Sequence, residues 1–259
     1  MNQYPSSEVP LSSLGTCFRI VETLHENSPL TPSEVAAEHG IATSTAHRHL
    51  TTLRQFGYAR EEDGRYSPGF RFLEVGNRVR ERTEIYRVGK PRIESLAQQT
   101  GEIANLIIEE DGLGVRLCVR GEERGIPTDT LVGQSVFLHT NSGGKAILAN
   151  LPEPRRTELI EQQQLAQRTE NTITDPEGLR RELEAVREAG VAFNDEERIE
   201  GLRAAGVPIV GTDDEVVAAL SVAGPSKRLE DEWFREELPS MLSEAANEIE
   251  LELKYSPDR

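Results

Sequence analysis

Ser44, His47, Arg48 and Thr51 recur at the three- and four-residue spacing that puts side chains on one face of a helix. They offer hydroxyls, an imidazole and a guanidinium, the groups that bond phosphates and base edges. The other face of the same stretch carries Ala46, Leu50 and Leu53, an apolar stripe at i, i+4 and i+7. The 22 residues from His39 to Arg60 contain no Asp or Glu, although 45 of the chain's 259 residues are acidic. A one-sidedly polar, acid-free helix suits a polyanion. The spacing therefore predicts a recognition helix, with Ser44, Thr45, His47, Arg48 and Thr51 toward the major groove of double-stranded DNA and Thr43 and Arg54 nearer its phosphates.

A second window, Thr130–Pro152, runs 23 residues without an acid. It holds Gly133, Ser135, His139, Thr140, Asn141, Ser142, Gly143, Gly144 and Lys145, a glycine- and hydroxyl-rich loop leading into a helix. Backbone N–H groups at a helix start favour an anion. Exclusion of acids makes sense if the ligand is itself a carboxylate. The plainer reading is a buried strand followed by a helix.

Other chemistries fit poorly. Gly143-Gly144-Lys145-Ala146 is no phosphate loop, because His139 stands where the first glycine belongs and no Ser or Thr follows the lysine. Cys118, His139 and Asp129 form no local nucleophile signature. The five histidines show no ligand spacing; His47 and His49, two apart, face different ways on a helix. Neither a catalytic residue, a metal nor a cofactor is expected. Cys17 and Cys118 each sit in an apolar pattern and read as buried thiols.

The elements that position these residues follow from the punctuation of the chain. Residues 1–12 read as a loose arm. Leu14, Cys17, Phe18, Val21 and Leu24 make a helix after Ser12-Ser13, closed by Asn27-Ser28-Pro29. Thr31-Pro32-Ser33-Glu34 has the form of a capping box, and Gly40 supplies the turn into the third helix, which stops near Phe56-Gly57. Tyr58-Ala59-Arg60 and Arg65-Tyr66-Ser67 flank an acidic Asp63-Gly64 turn, a β-hairpin. Three helices and a hairpin make a winged helix-turn-helix over residues 1–69. Arg60 and Arg65 are the wing's candidate phosphate contacts. A winged helix serving as a protein-binding surface is the alternative.

A linker helix is expected over 70–88, starting with Phe70, Leu73 and Val75, interrupted at Gly76 and resuming through Arg78–Arg87. A separate helix, Pro91–Gln99, follows. The remaining domain, 89–259, opens with strands Ala104–Ile108 and Val115–Val119, then Thr130–Val132 and Val136–Leu138. Helices follow from about Ser142, over Arg155–Gln163 and after Asp175-Pro176. Strands at Val191–Phe193, Gly206–Val210 and Val216–Val222 precede a last helix over about Leu229–Tyr255. The fold class is α+β, with an antiparallel sheet in the second domain.

Net charge is −16, and only Lys90, Lys145, Lys227 and Lys254 are lysines among 29 basic residues. An acidic chain is normally a poor nucleic-acid ligand. The charge is uneven, however: residues 1–75 carry six Arg against nine acids, net −3, and the rest net −13. An acid-rich, lysine-poor surface suits a halophilic cytosol, where salt screens self-repulsion. No run of 18 apolar residues suggests a membrane span, and the N-terminus has no signal-peptide pattern, so a cytoplasmic protein is expected.

These blocks together resemble the IclR family of transcriptional regulators over nearly the whole chain. LTPSEVAAEHGIATSTAHRHLTTLRQFGYA is similar to the family's winged helix, and LHTNSGGKAILA to its effector-domain motif. TDPEGLRRELEAVREAGVAFNDEERIEGLRAAGVPIV and AALSVAGPSKR are similar to its C-terminal signatures. The resemblance implies a GAF-like effector domain, assembly as a homodimer or dimer of dimers, and operator binding modulated by a small organic effector, a carboxylate or sugar-derived metabolite. It places Ser142, Gly143 and Ser221 among the effector contacts. Asn194 stands where relatives carry Asp, Ala204 where a Cys is common and Ala223 where a second Ser is common. The implied pocket is completed by His139 and Gly144, and is less polar than one built for small oxo-acids.

Overall fold

A computed structural model describes residues 9–121, 130–162, 165–230 and 232–255. The chain divides into two compact units between Val79 and Arg80.

The first unit contains α1 (Ser12–Asn27), α2 (Pro32–His39), α3 (Thr43–Gln55) and a hairpin of β1 (Ala59–Glu62) and β2 (Arg65–Pro68). The capping box forms as expected: Thr31 Oγ1 accepts from Glu34 N, and Thr31 N donates to Glu34 Oε2 at 2.7 Å. Gly40 takes the left-handed conformation, φ +61°, that lets α2 turn into α3 without strain. Ala46, Leu50 and Leu53 pack with Ile20, Leu24, Val35, Ala59 and Tyr66 into one core. Ser12-Ser13 do not cap α1; Leu11 holds that position and makes no side-chain bond.

α4 (Arg71–Arg82) is continuous through Gly76, and the break falls at Thr83, where the backbone is extended. α5 then runs from Glu84 to Thr100 with Pro91 inside it. The expected pause at Gly76 and new helix at Pro91 are both corrected. Ile85, Tyr86, Val88 and Gly89 are buried with Ile93, Leu96 and Ala97, so packing on both sides of Pro91 holds one helix across it. The expected linker span, 70–88, therefore ends inside the core of the second unit.

That unit is built on a six-stranded antiparallel sheet. Its strands are β3 (Ile103–Glu110), β4 (Leu113–Arg120), β5 (Ser135–Phe137), β6 (Ala192–Asp195), β7 (Leu202–Val210) and β8 (Val216–Pro225), in spatial order β5-β4-β3-β8-β7-β6. One face packs on α5 and α9 (Leu238–Tyr255), preceded by a π-helical turn, Trp233–Glu237. The other face packs on α6 (Ser142–Asn150), α7 (Glu153–Gln162) and α8 (Pro176–Ala189). Thr130–Val132 is not a strand: β4 pairs with Ser135–Phe137, and Leu131 and Val132 are exposed beyond it. The α+β class and antiparallel sheet are as expected. Most of the N-terminal arm, Asp129 and Gln163 lie outside the described residues.

Candidate nucleic-acid interface and effector site

In the first unit α3 presents Thr43, Ser44, His47, Arg48 and Arg54 to solvent, with Thr45 and Thr51 half-buried. Ala42 at the N-cap of α3 makes no side-chain cap bond, and Thr43 and Ser44 beside it are exposed. Two of the expected phosphate contacts are already paired. Arg54 is bonded to Glu61 of the wing, and Arg65 donates to Pro29 O at 3.0 Å and to Glu34 Oε2 at 3.2 Å. Arg60 lies over the Phe70 ring. Tyr66 OH donates to Glu61 Oε2 at 3.1 Å, so the carboxylate that holds Arg54 is itself tied to the hairpin.

In the second unit the strand register sorts the sheet's α6 face into three cross-strand rows. One is Asn194–Ala204–Ala223–Ile103, the next Ala192–Gly206–Ser221–Asn105–Val119, and the third Pro208–Ala219–Ile107–Arg116. Directly paired residues point to the same side of a sheet. The expected Asn194, Ala204, Ser221 and Ala223 therefore share one face, and α6 begins over it. A Cβ on Gly206 would lie 2.8 Å from Gly143 N, and one on Gly143 would lie 3.6 Å from Ser221 Oγ. Only glycine at 206 permits that approach of helix to strand.

Two expected effector contacts have structural roles. Gly144 N donates to Asn141 Oδ1 at 2.8 Å, the helix cap, and Gly144 lies hard against Leu138. Asn194 Nδ2 donates to Thr140 O at 2.7 Å, while its Oδ1 accepts from Glu197 N. These residues hold the loop instead of offering their polar groups to a ligand. Ser142 and Ser221 are buried at the α6–sheet junction. His139 is fully buried, its Nε2 near Ala166 O and its Nδ1 without a partner among the described residues. Burial pushes the His139 pKa down, the bond to Ala166 opposes this, and Arg168 and Lys145 push it down further.

The sequence pattern left the roles of three polar groups here unread. Lys145 is fully buried and donates to Glu182 Oε1 at 2.8 Å and Glu197 Oε1 at 2.6 Å. Arg116 is 3% exposed, and no carboxylate pairs with it among the described residues. Burial, with Arg198 alongside, drives its pKa down to about 9. Asn105 is buried with its Oδ1 unpartnered. Single charged residues inside apolar runs, VRLCV and GKAIL, were the available signals. Cys118 packs with α5 and α9 on the opposite face, so the structure does not bring it to His139. No helix among the described residues is long and apolar enough to cross a membrane, and no cluster of three metal-ligating side chains occurs among them.

Two family descriptions match the chain: the IclR helix-turn-helix domain over residues 13–63, and the bacterial transcriptional regulator IclR C-terminal domain over 77–251. A probable HTH-type transcriptional regulator of Halobacterium salinarum, ArcR, is 36% identical, with 94% of both chains covered. The crystal structure of Thermotoga maritima IclR is 32% identical and covers 94% of this chain and 99% of its own, with a TM-score of 0.80. A Microbacterium hydrocarbonoxydans IclR homolog complexed with 4-hydroxybenzoate is 26% identical, at a TM-score of 0.79, covering 93% and 99%.

Proposed function

The chain belongs to the IclR family of transcriptional regulators, DNA-binding proteins with a C-terminal effector-binding domain, and from that premise we propose how its units divide the work. Ser44, Thr45, His47, Arg48 and Thr51 read the major groove. Thr43 and Arg54 meet flanking phosphates, and Arg60 and Arg65 meet those beside the wing. The observation that carries this reading is a solvent-facing row of hydroxyl, imidazole and guanidinium groups on a helix whose other face is core. The experiment is footprinting on DNA upstream of the protein's own gene. Arg48→Ala should cost about 1–3 kcal/mol of operator affinity, and unchanged affinity would remove the assignment.

The protein acts as a homodimer or dimer of dimers. In the first unit, Leu14 and Phe18 of α1 and Leu73 and Val79 of α4 are 49–64% exposed, an apolar surface that a second copy would cover. Footprints should show two-fold related half-sites.

The effector is a small organic acid, a carboxylate or sugar-derived acid, held on the α6 face of the second unit by His139, Ser142, Gly143 and Ser221. Ala204 and Ala223 line it, and Gly144 and Asn194 position the loop. Its support is the acid-free window and the orphaned polar groups on that face. The ligand of the Microbacterium homolog, 4-hydroxybenzoate, is an acid with an aromatic body. Binding should shift DNA affinity by about 1–3 kcal/mol. The DNA partner and the acid-rich, lysine-poor composition support a cytoplasmic location at high salt.

A further inference from the structure

We infer that the effector is a hydroxycarboxylate, its carboxylate on the Arg116 guanidinium and a hydroxyl on Asn105 Oδ1. The inference rests on the reading that the α6 face of the sheet is the effector site. Arg116 Nη1 donates to Gln134 Oε1 at 2.8 Å, while Nε is buried with no partner. The edge carrying Nε and Nη2 is the fork that accepts a carboxylate with two parallel bonds. Arg198, from the loop after β6, adds a second positive group beside it. A buried guanidinium with a like charge beside it, and no carboxylate paired with it among the described residues, is unfavourable until an anion arrives.

Asn105 sits in the neighbouring row, between Ser221 and Val119. Arg116 pairs with Ile107, two residues further along β3, so its Cβ lies diagonally across from Asn105, roughly 7–8 Å away. Both side chains rise from the same face in adjacent rows, so one small acid can meet the two. Asn105 Oδ1 is an acceptor without a donor among the described residues. A hydroxyl supplies one; an oxo group brings only lone pairs to it. Sequence reasoning looked for the anion at the α6 N-terminus, where the Asn141 cap already takes the Gly144 amide.

The test uses the full chain and three ligand pairs, lactate and pyruvate, 3-hydroxybutyrate and acetoacetate, and 4-hydroxybenzoate and benzoate, read by thermal shift and calorimetric titration. At least one hydroxy acid should bind the wild type tenfold or more tighter than its partner without the hydroxyl. Arg116→Gln should weaken that binding on the order of 30-fold, Arg116→Lys less, and Asn105→Leu should erase the preference for the hydroxyl. Ligand-free Arg116→Gln should melt no lower than wild type, since it removes an uncompensated buried charge; a purely structural arginine would lower it. Equal binding within every pair, no binding by any of the six, or unchanged affinity in Arg116→Gln overturns the inference. If Ser221→Ala weakens binding and Arg116→Gln does not, the effector-site reading stands and this one falls. If neither does, the ligand lies elsewhere and both fall.

Discussion

Lys145 Nζ lies 2.6 Å from Glu197 Oε1, and the bond joins the first turn of α6 to the loop after β6 across 52 residues of sequence. Glu182 of α8 shares the same ammonium at 2.8 Å. One fully buried cation thus holds two carboxylates. Burial pushes the Glu197 pKa up against the pull of Lys145, and its Oε2 has no partner. Glu197 is followed directly by Arg198, whose charge helps to lower the Arg116 pKa.

Removing the lysine should be severe. Lys145→Ala leaves a buried carboxylate unpaired and should cost about 3–5 kcal/mol, read by urea unfolding of the second unit. Lys145→Met with Glu197→Gln should recover a large part of that loss. A double variant as unstable as the single one would mean that the pair itself, and not the stranded charge, supplies the stability.

Two glycines should respond oppositely to alanine. Gly206→Ala drives a Cβ to 2.8 Å from Gly143 N and should destabilise the second unit by about 1–3 kcal/mol. Gly76 lies within α4 with nothing within 4 Å of an added Cβ. Gly76→Ala should stabilise by up to about 1 kcal/mol. Equal melting shifts of one sign for both would contradict the packing.

Glu61 holds Arg54 on the wing. Glu61→Gln should release that arginine toward DNA phosphate. Operator affinity should rise at low salt, and the slope of log affinity against log salt should steepen by about one. A salt slope identical to wild type would show that Arg54 does not reach the backbone.

His39 gives the first unit an acid-sensitive step. Its Nε2 lies 2.9 Å from Thr23 Oγ1, and burial pushes its pKa below the ordinary 6.5, helped by Arg19 and opposed by Glu38. Because the folded value is the lower one, the stabilisation is present above 6.5 and is lost as pH falls through the folded value. Exchange protection in α1–α3 should therefore decline as pH falls below 6.5, after correction for intrinsic rates, and His39→Gln should flatten that decline. A decline as steep in His39→Gln would assign it to other groups.

The sequence by itself determined what depends on neighbours a few residues apart. The Thr31–Glu34 capping box, the turn at Gly40, the amphipathic α3 and the Asp63-Gly64 wing turn are all local, and each formed where its residues stand. The blocks around Ser142 and Ser221 also lie on the same face of the sheet, as their motifs implied. Tertiary structure decided which polar groups those blocks meet. Arg116 and Asn105 read as ordinary strand residues until β3, β4 and β8 pair in register and turn both toward α6. Lys145 finds its carboxylates 37 and 52 residues away, and Asn194 is spent on Thr140 and Glu197. The helix break moved from Gly76 to Thr83 for the same reason: burial of Ile85, Tyr86 and Val88 against the second unit's core outweighs the local preferences of Gly76 and Pro91. Register and burial are sums over distant contacts, and no window of sequence contains both partners.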